Sequence, residues 1–345
     1  MSDSHENLTE RGGLLPGERP TLKTLSRITG MAVATVSRAL NDAPDIGDDT
    51  KVRVRAAARQ IGYRPNRAGV RLRTGKTNVI ALLLSTEHEV MNHTARLISS
   101  VAAGFRATPY HMIITPYFPD EDPMDAVRYV VETRSADAVI LNQTQPRDPR
   151  VAYLMEQGFP FATHGRTDWA DRHAYFDFDN TAYARVATQA LAARGRRNVL
   201  LIAPPMFQNY AANMRDGMLA AATESGISVK VLSGATSDDP NDMVAAAVAA
   251  HFAAHPDTDG IICASVMACM GATAAVEGSG RTIGQHIDLV AKEAIPFLAT
   301  FRPAIMAVKE DVGEAGRFLA DAARHAVEHP DEPPMQFLDV PVQVG

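Results

Sequence analysis

Apolar residues recur at three- and four-residue spacing from Thr21 onward, and glycine or proline interrupts the pattern at regular points. Leu22, Leu25 and Ile28 share one helical face behind Thr21, which is suited to cap a helix start, and Gly30 ends that run. Val33, Val36 and Leu40 restart the period. Asn41 to Asp45, with Pro44, reads as a loop. Asp48 and Asp49 then open a third helix, where acidic side chains suit the positive end of the helix dipole. Its apolar stripe is Val54, Ala57, Ala58 and Ile61, closed by Gly62 and Pro65. Ahead of these helices, residues 1–20 show no period and read as a flexible leader. Behind them, residues 66–73 suggest a fourth short helix capped by Asn66, too short to be stable alone.

From Asn78 the pattern changes to short apolar runs alternating with alanine-rich helical stretches. Strands are expected at Val79–Leu84, His111–Thr115, Ala138–Leu141, Pro160–Thr163, Val199–Ile202, Ser228–Leu232, Gly260–Ala264, Asp288–Val290 and Ala304–Val308. Helices such as Asp179–Ala193 and Asp242–Ala254 lie between them. Alternation of this kind implies parallel sheets with helices on both faces. So many strands over residues 78–345 fit two sheets better than one. The expected fold is a small all-α helix-turn-helix head plus an α/β domain of two doubly wound parallel-sheet subdomains. Ligands in such sheets sit beyond the carboxyl ends of the strands.

Composition changes this picture only through its distribution. The chain has 345 residues, 46% hydrophobic and 21% charged, with a net charge of −6. Residues 17–77, however, hold 13 Lys and Arg against 5 Asp and Glu, whereas residues 78–345 hold 20 against 32. A basic head on an acidic body suggests that the head meets a polyanion. The longest apolar runs are strand-sized, the N-terminus has no apolar signal core, and Cys263 and Cys269 read as buried thiols of a reducing compartment. A secreted, membrane-spanning or disulfide-stapled protein is thereby excluded, and a cytoplasmic location is expected.

A helix, a glycine-containing turn and a second helix form the bihelical unit that reads DNA when the second helix is exposed. Here Val33 and Ala34 put small side chains at the start of that helix, Thr35 and Ser37 offer hydroxyls to phosphates, and Arg38 can grip a guanine with two bonds. These residues stand within ATVSRALN at 34–41, followed by IGYRPNRAG at 61–69 and LRTGKTNVIALL at 72–83. DFDN at 177–180 and LAARGRRNVLLI at 191–202 continue the series. The sequence resembles the LacI/GalR family of transcriptional regulators along nearly the whole chain after residue 20.

The resemblance implies a periplasmic-binding-protein-like effector domain and a homodimer that binds palindromic double-stranded operator DNA. It further implies a small-molecule effector, a sugar or sugar derivative, and action as a repressor of carbohydrate-utilisation genes. The DNA-contacting set it implies is Thr24, Val33, Ala34, Thr35, Ser37, Arg38, Asn41, Tyr63, Asn66, Arg67, Arg71 and Leu72. Of these, Leu72 matches the leucine wedged into the minor groove. The expected division is a leader at 1–20, the DNA-binding head at 21–65, a hinge helix and linker at 66–77, and an effector and dimerisation domain at 78–345. Within the last, one subdomain spans about 78–178 and 303–329, the other about 179–302 and 330–345.

Departures from the family pattern limit the transfer. Ala32 replaces the usual serine, so the second helix loses its side-chain cap, and Gly69 weakens the hinge helix by about 1 kcal/mol relative to alanine. Ser265-Val266 replaces a common Asn-Asp pair, Gly165-Arg166 an Asp-Arg pair, and Met214 an arginine before Gly217. The wording of FPFATHGRT and DFDN is nearest to regulators of α-glucoside operons. Candidate effector contacts are Ser85, Glu87, Asn142, His164 and Arg166 from one subdomain, and Asn213, Arg215, Ser265 and Lys292 from the other.

Enzymatic readings are weaker. Glu87 to His93 suggests a zinc protease helix, but His88 and His93 are five apart rather than four and cannot share a metal on one face. Gly278, Gly280 and Gly284 miss the dinucleotide fingerprint by one residue. No metal, no cofactor, no membrane contact and no catalysis is expected. The alternative is a cytoplasmic sugar-binding or sugar-processing protein whose basic head serves another purpose.

Overall fold

The computed structural model describes residues 14, 18–63, 71, 75–86, 93–118 and 120–341. The chain divides into two compact units, Met1–Thr77 and Asn78–Gly345. The expected hinge at 66–73 lies outside the described residues except for Arg71, as does the leader at 1–20 except for Leu14 and residues 18–20.

The first unit is built from α1 (Leu22–Thr29), α2 (Val33–Leu40) and α3 (Asp48–Gln60). Thr21 caps α1 by accepting from the Thr24 amide at 3.1 Å, and Gly30 turns the chain out with a left-handed φ of 68°. Ala32 gives α2 no side-chain cap, while Asp48 and Asp49 occupy the first turn of α3. Leu25, Ile28, Val36, Ala39, Val54, Ala57, Ala58 and Ile61 form the core. Ala39, rather than Val33, completes the buried face of α2. Val33 stands 39% exposed at the first position of α2.

The second unit alternates strand and helix: β1 (Val79–Ser85), α4 (Ala95–Gly104), β2 (His111–Tyr117), α5 (Pro123–Thr133), β3 (Ala138–Leu141), α6 (Pro149–Glu156), β4 (Phe161–His164) and β5 (Ala174–Phe178). There follow α7 (Asn180–Ala193), β6 (Asn198–Ile202), α8 (Asn209–Ser225), β7 (Ser228–Val231), α9 (Asn241–Ala254), β8 (Gly260–Cys263) and α10 (Val266–Gly278). The chain ends with β9 (Asp288–Glu293), α11 (Leu298–Phe301), β10 (Met306–Lys309), α12 (Val312–Glu328) and β11 (Gln336–Asp339). One sheet has the order β11-β5-β4-β3-β1-β2 and the other β10-β9-β8-β6-β7. Each strand pairing in both is parallel. Central strands such as β1 and β8 are buried on both faces, which is why their sequences read as continuous apolar runs. Among the described residues no helix is long and apolar enough to cross a membrane.

Two subdomain boundaries differ from expectation. The strand expected to open the second segment of the first subdomain, β10, instead pairs with β9 in the second sheet. β11, expected in the second subdomain, pairs with β5 in the first. Only α12 keeps its expected place, because Val312, Ala315 and Leu319 belong to the same core as Ile80, Leu82 and Leu97. The chain therefore changes sheets after β5 and again after β10.

Close helix approach depends on glycine where α8 crosses α7. A Cβ on Gly217 would collide with the Thr181 carbonyl oxygen, which is backbone and cannot swing aside. Gly217→Ala should therefore force the helices apart and cost about 1–3 kcal/mol. A urea melt indistinguishable from wild type would show that α7 and α8 do not pack this closely.

Candidate functional site

On the head, α2 presents Val33, Ala34 and Arg38 to solvent, with Thr35 and Ser37 half-buried beside them. Asn41 is exposed and ends the helix, its side-chain amide donating to the Ser37 carbonyl. Arg38 is ion-paired with Asp45 in the following loop. Both partners are well exposed, so the pair is weak and exchangeable for another anion. Thr24 differs from expectation: it is buried, and its hydroxyl donates to Glu18 at 2.9 Å after closing the Thr21 cap. A capping threonine at that position is used internally and leaves no open surface. Tyr63 packs partly against the head core, and Arg71 is exposed. Asn66, Arg67 and Leu72 lie outside the described residues.

In the second unit one cavity, of about 140 Å³, opens at the carboxyl ends of the strands of both sheets. Of the residues expected there, Ser85, Asn142, His164, Arg166, Ser265 and Lys292 line it. Asn213 and Arg215 do not: α8 meets the cavity with its first turn, through Asn209 and Tyr210, and Arg215 pairs with its neighbour Asp216. Glu87 lies outside the described residues. Sequence reasoning missed His93, Asp177, Asn180, Asn209, Asp238 and Glu310. Asp177 and Asn180 stand inside the DFDN motif, and Glu310 directly follows a strand, so all three positions carried a usable signal.

Opposite charges meet at two points of this wall. Arg166 Nε donates to Asp177 Oδ2 at 2.6 Å, and burial pushes Asp177 up to about 6 against the pull of that arginine. Lys292 Nζ lies 3.0 Å from Glu310 Oε2 and 3.3 Å from Asn180 Oδ1. Burial alone would raise Glu310, but Lys292 and His93 outweigh it and hold the carboxyl far below the ordinary range. His164 is pushed down to about 3 by burial, with His93 adding to the effect, and is neutral at physiological pH. Asn209 Nδ2 donates to the Arg166 carbonyl at 2.8 Å, while its amide donates to the Thr144 carbonyl, so the two walls are joined there. Asn142 Oδ1 is buried with no hydrogen-bond partner among the described residues.

The loop carrying Asn142 to Thr144 is held by Arg150. Its guanidinium donates to the carbonyls of Asn142 and Gln143, to Tyr117 Oη, and through two nitrogens to the fully buried Asp148. Gln143 takes a left-handed φ of 50° within this brace.

Comparison with known proteins places both units. Residues 21–66 match the model of bacterial regulatory proteins of the lacI family. Residues 106–299 match that of periplasmic binding proteins and the sugar-binding domain of the LacI family. The regulator RafR of Escherichia coli is 30% identical over 326 residues, 93% of this chain and 96% of RafR. The chain belongs to the LacI family. Its relatives in that family are transcriptional regulators with a helix-turn-helix head, among them AglR of Rhizobium meliloti, 29% identical over 79% of this chain and 78% of AglR. The LacI fold is matched over 95% of the chain. The Lac repressor dimer bound to operator aligns with a TM-score of 0.78 at 18% identity, covering 95% of this chain and 97% of that one. The CelR–cellobiose complex aligns with a TM-score of 0.68 at 22% identity, covering 95% and 98%.

Arg150 supplies the prediction that this geometry makes for stability. Arg150→Ala strands Asp148 as a buried, unpaired carboxylate and should cost about 3–5 kcal/mol in denaturant unfolding. A loss below about 1 kcal/mol would mean that the brace is not formed in solution.

Proposed function

We propose that this LacI-family regulator is a repressor of carbohydrate-utilisation genes that binds a palindromic operator as a homodimer and takes a sugar in its cleft. The carrying observation is the cleft wall itself. It gathers a guanidinium already oriented by Asp177, an unpartnered buried Asn142 oxygen, and hydroxyl and amide groups from both sheets. Neutral, many-hydroxyl ligands satisfy such a wall, because each hydroxyl both donates and accepts, and an unmet buried acceptor costs about 1–3 kcal/mol. The cellobiose bound by CelR, a relative of the same fold, supports the class of ligand. Family membership supports a regulator without catalysis, working on DNA in the cytoplasm. On the head, Val33, Ala34 and Arg38 are the proposed base readers, with Thr35 and Ser37 set toward phosphate. Arg38 exchanges Asp45 for a guanine edge on binding.

Two measurements test this reading. A panel of mono- and disaccharides should contain one that raises the melting temperature of the wild-type chain, since a ligand of the folded state alone stabilises it. Arg166→Ala should weaken that ligand at least tenfold, and unchanged affinity would place the effector elsewhere. On operator DNA, Arg38→Ala should cost about 1–3 kcal/mol and narrow the gap between specific and random sequences. Equal losses on both kinds of DNA would show that α2 contributes phosphate contacts rather than base contacts.

A further inference from the structure

Beyond its sugar-suited groups, the cleft contains a second constellation of different chemistry. His93 Nε2 lies 3.4 Å from Glu310 Oε1, and His164 Nε2 lies 4.0 Å from the same oxygen. All three donor atoms fall within 4.8 Å of one another, and the two imidazole rings stack with centroids 5.4 Å apart and planes inclined by 17°. We infer that His93, His164 and Glu310 form a divalent transition-metal site, best suited to Zn²⁺, whose remaining coordination position opens into the effector cleft.

Geometry argues for a metal over a simple hydrogen bond. Ligand atoms about 2.0–2.2 Å from a tetrahedral zinc stand about 3.3–3.5 Å from each other. The His93–Glu310 separation meets that figure, the His164–Glu310 separation exceeds it by about half an ångström, and no pair of the three exceeds 4.8 Å, so closing the site takes side-chain adjustments of about an ångström. By contrast, 3.4 Å is long for a hydrogen bond between an imidazole and a carboxylate. Two imidazole nitrogens with one carboxylate oxygen are also the donor set of open, three-ligand zinc sites, and the nitrogens disfavour calcium or magnesium.

The surroundings support the carboxylate in the required pose. Lys292 Nζ binds Oε2, the far oxygen, at 3.0 Å, which leaves Oε1 directed at the imidazoles. Outer-sphere partners of this kind fix the orientation of a ligating carboxylate. The Glu310 amide donates to the Glu293 carbonyl at 2.9 Å, anchoring the backbone, and His164 ends a strand held in the middle of the first sheet. His164 and Glu310 thus sit on elements fixed by other interactions, and His93 stands two residues before α4. Because the three ligands line the same cavity as Ser85, Thr94 and Arg166, a metal there is placed to accept an oxygen from a cleft ligand. An effector with adjacent hydroxyls or a carboxylate would bind it directly.

A second histidine cluster makes a control necessary. His325 and His329 both contact Glu332, at 3.0 and 3.2 Å, on the exposed end of α12. The test uses the full chain without a histidine tag, stripped of metal by chelator and titrated with Co²⁺. The expected result is one equivalent bound with the intense visible absorption of a four-coordinate ion, which Zn²⁺ then displaces. His164→Gln and His93→Gln should each weaken Co²⁺ binding at least tenfold, whereas the double variant His325→Gln/His329→Gln should leave it unchanged. His93 is about one-third exposed, so its variant keeps the test valid if His164→Gln misfolds. Absence of the visible band, or a band lost only in the double variant, would overturn the inference.

Discussion

A single chain serves two parallel sheets, and the organisation of the second unit follows from where it changes from one to the other. The chain leaves the first sheet after β5 and returns after β10, and both transitions run beside the cleft. Each carries a buried acid beside it, Asp177 one residue before the end of β5 and Glu310 directly after β10. Because every strand in both sheets is parallel, the polar strand ends collect on one side of each sheet. The crossings then bring those two sides together. A cleft with charged walls is a consequence of that topology, before any ligand is considered.

Such acids are poor sources of stability. Removing two charges from water costs several kcal/mol for each, and pairing returns that cost only when geometry and further hydrogen bonds are favourable. Asp177 shows the balance tipping against the charged form, since burial raises it despite Arg166 at 2.6 Å. Glu310 shows the opposite, with Lys292 and His93 beside it holding the carboxylate charged. Apolar side chains would serve packing better at both positions. What the acids provide instead is orientation: each fixes a cation, Arg166 or Lys292, against the cavity.

Much of this was legible in the sequence, for identifiable reasons. Strands β1, β3 and β8 are sealed on both faces, so their apolar runs stand out, and the helical head shows its period because its core is made from one face of each helix. β5 was hidden because Ala174–Phe178 mixes aromatic residues with Asp177, and β11 because its four residues lie at a half-exposed sheet edge. Missing β11 left residues 330–345 in the wrong subdomain, whereas β10 was expected as a strand at Ala304–Val308 and only its sheet was misassigned, which no local pattern decides. In the cleft, the strand-end rule located Ser85, Asn142, His164, Arg166 and Lys292. It was silent on residues supplied by helix starts, such as Asn180, Asn209 and Tyr210. Nor could spacing associate His93 with Glu310, which are 217 residues apart and meet only through the return of the chain after β10. Residue periodicity describes a face, whereas that cluster depends on topology.

The same topology restricts how a cleft ligand can influence the chain that leads to the head. Ser85 ends β1 at the cleft, and Asn78 stands just before the other end of that strand. The Asn78 amide is held by Asp137 at 2.7 Å, and its carbonyl accepts from the His111 amide at 2.9 Å. Seven residues of extended strand separate these ends by about 20 Å. β1 is buried on both faces and paired on both edges, so it cannot shorten, slide or bend alone. A ligand acting at Ser85, Arg166 or Lys292 therefore reaches Asn78 only by moving the first sheet as a body relative to the second. The required energy is modest, since a 10- to 100-fold change in affinity needs about 1.4–2.8 kcal/mol of preference between two arrangements. A ligand that touches both walls, as the link from Asn209 to Thr144 and Arg166 already does, gains that preference directly. One confined to a single wall moves with it, and has no means of distinguishing the two arrangements.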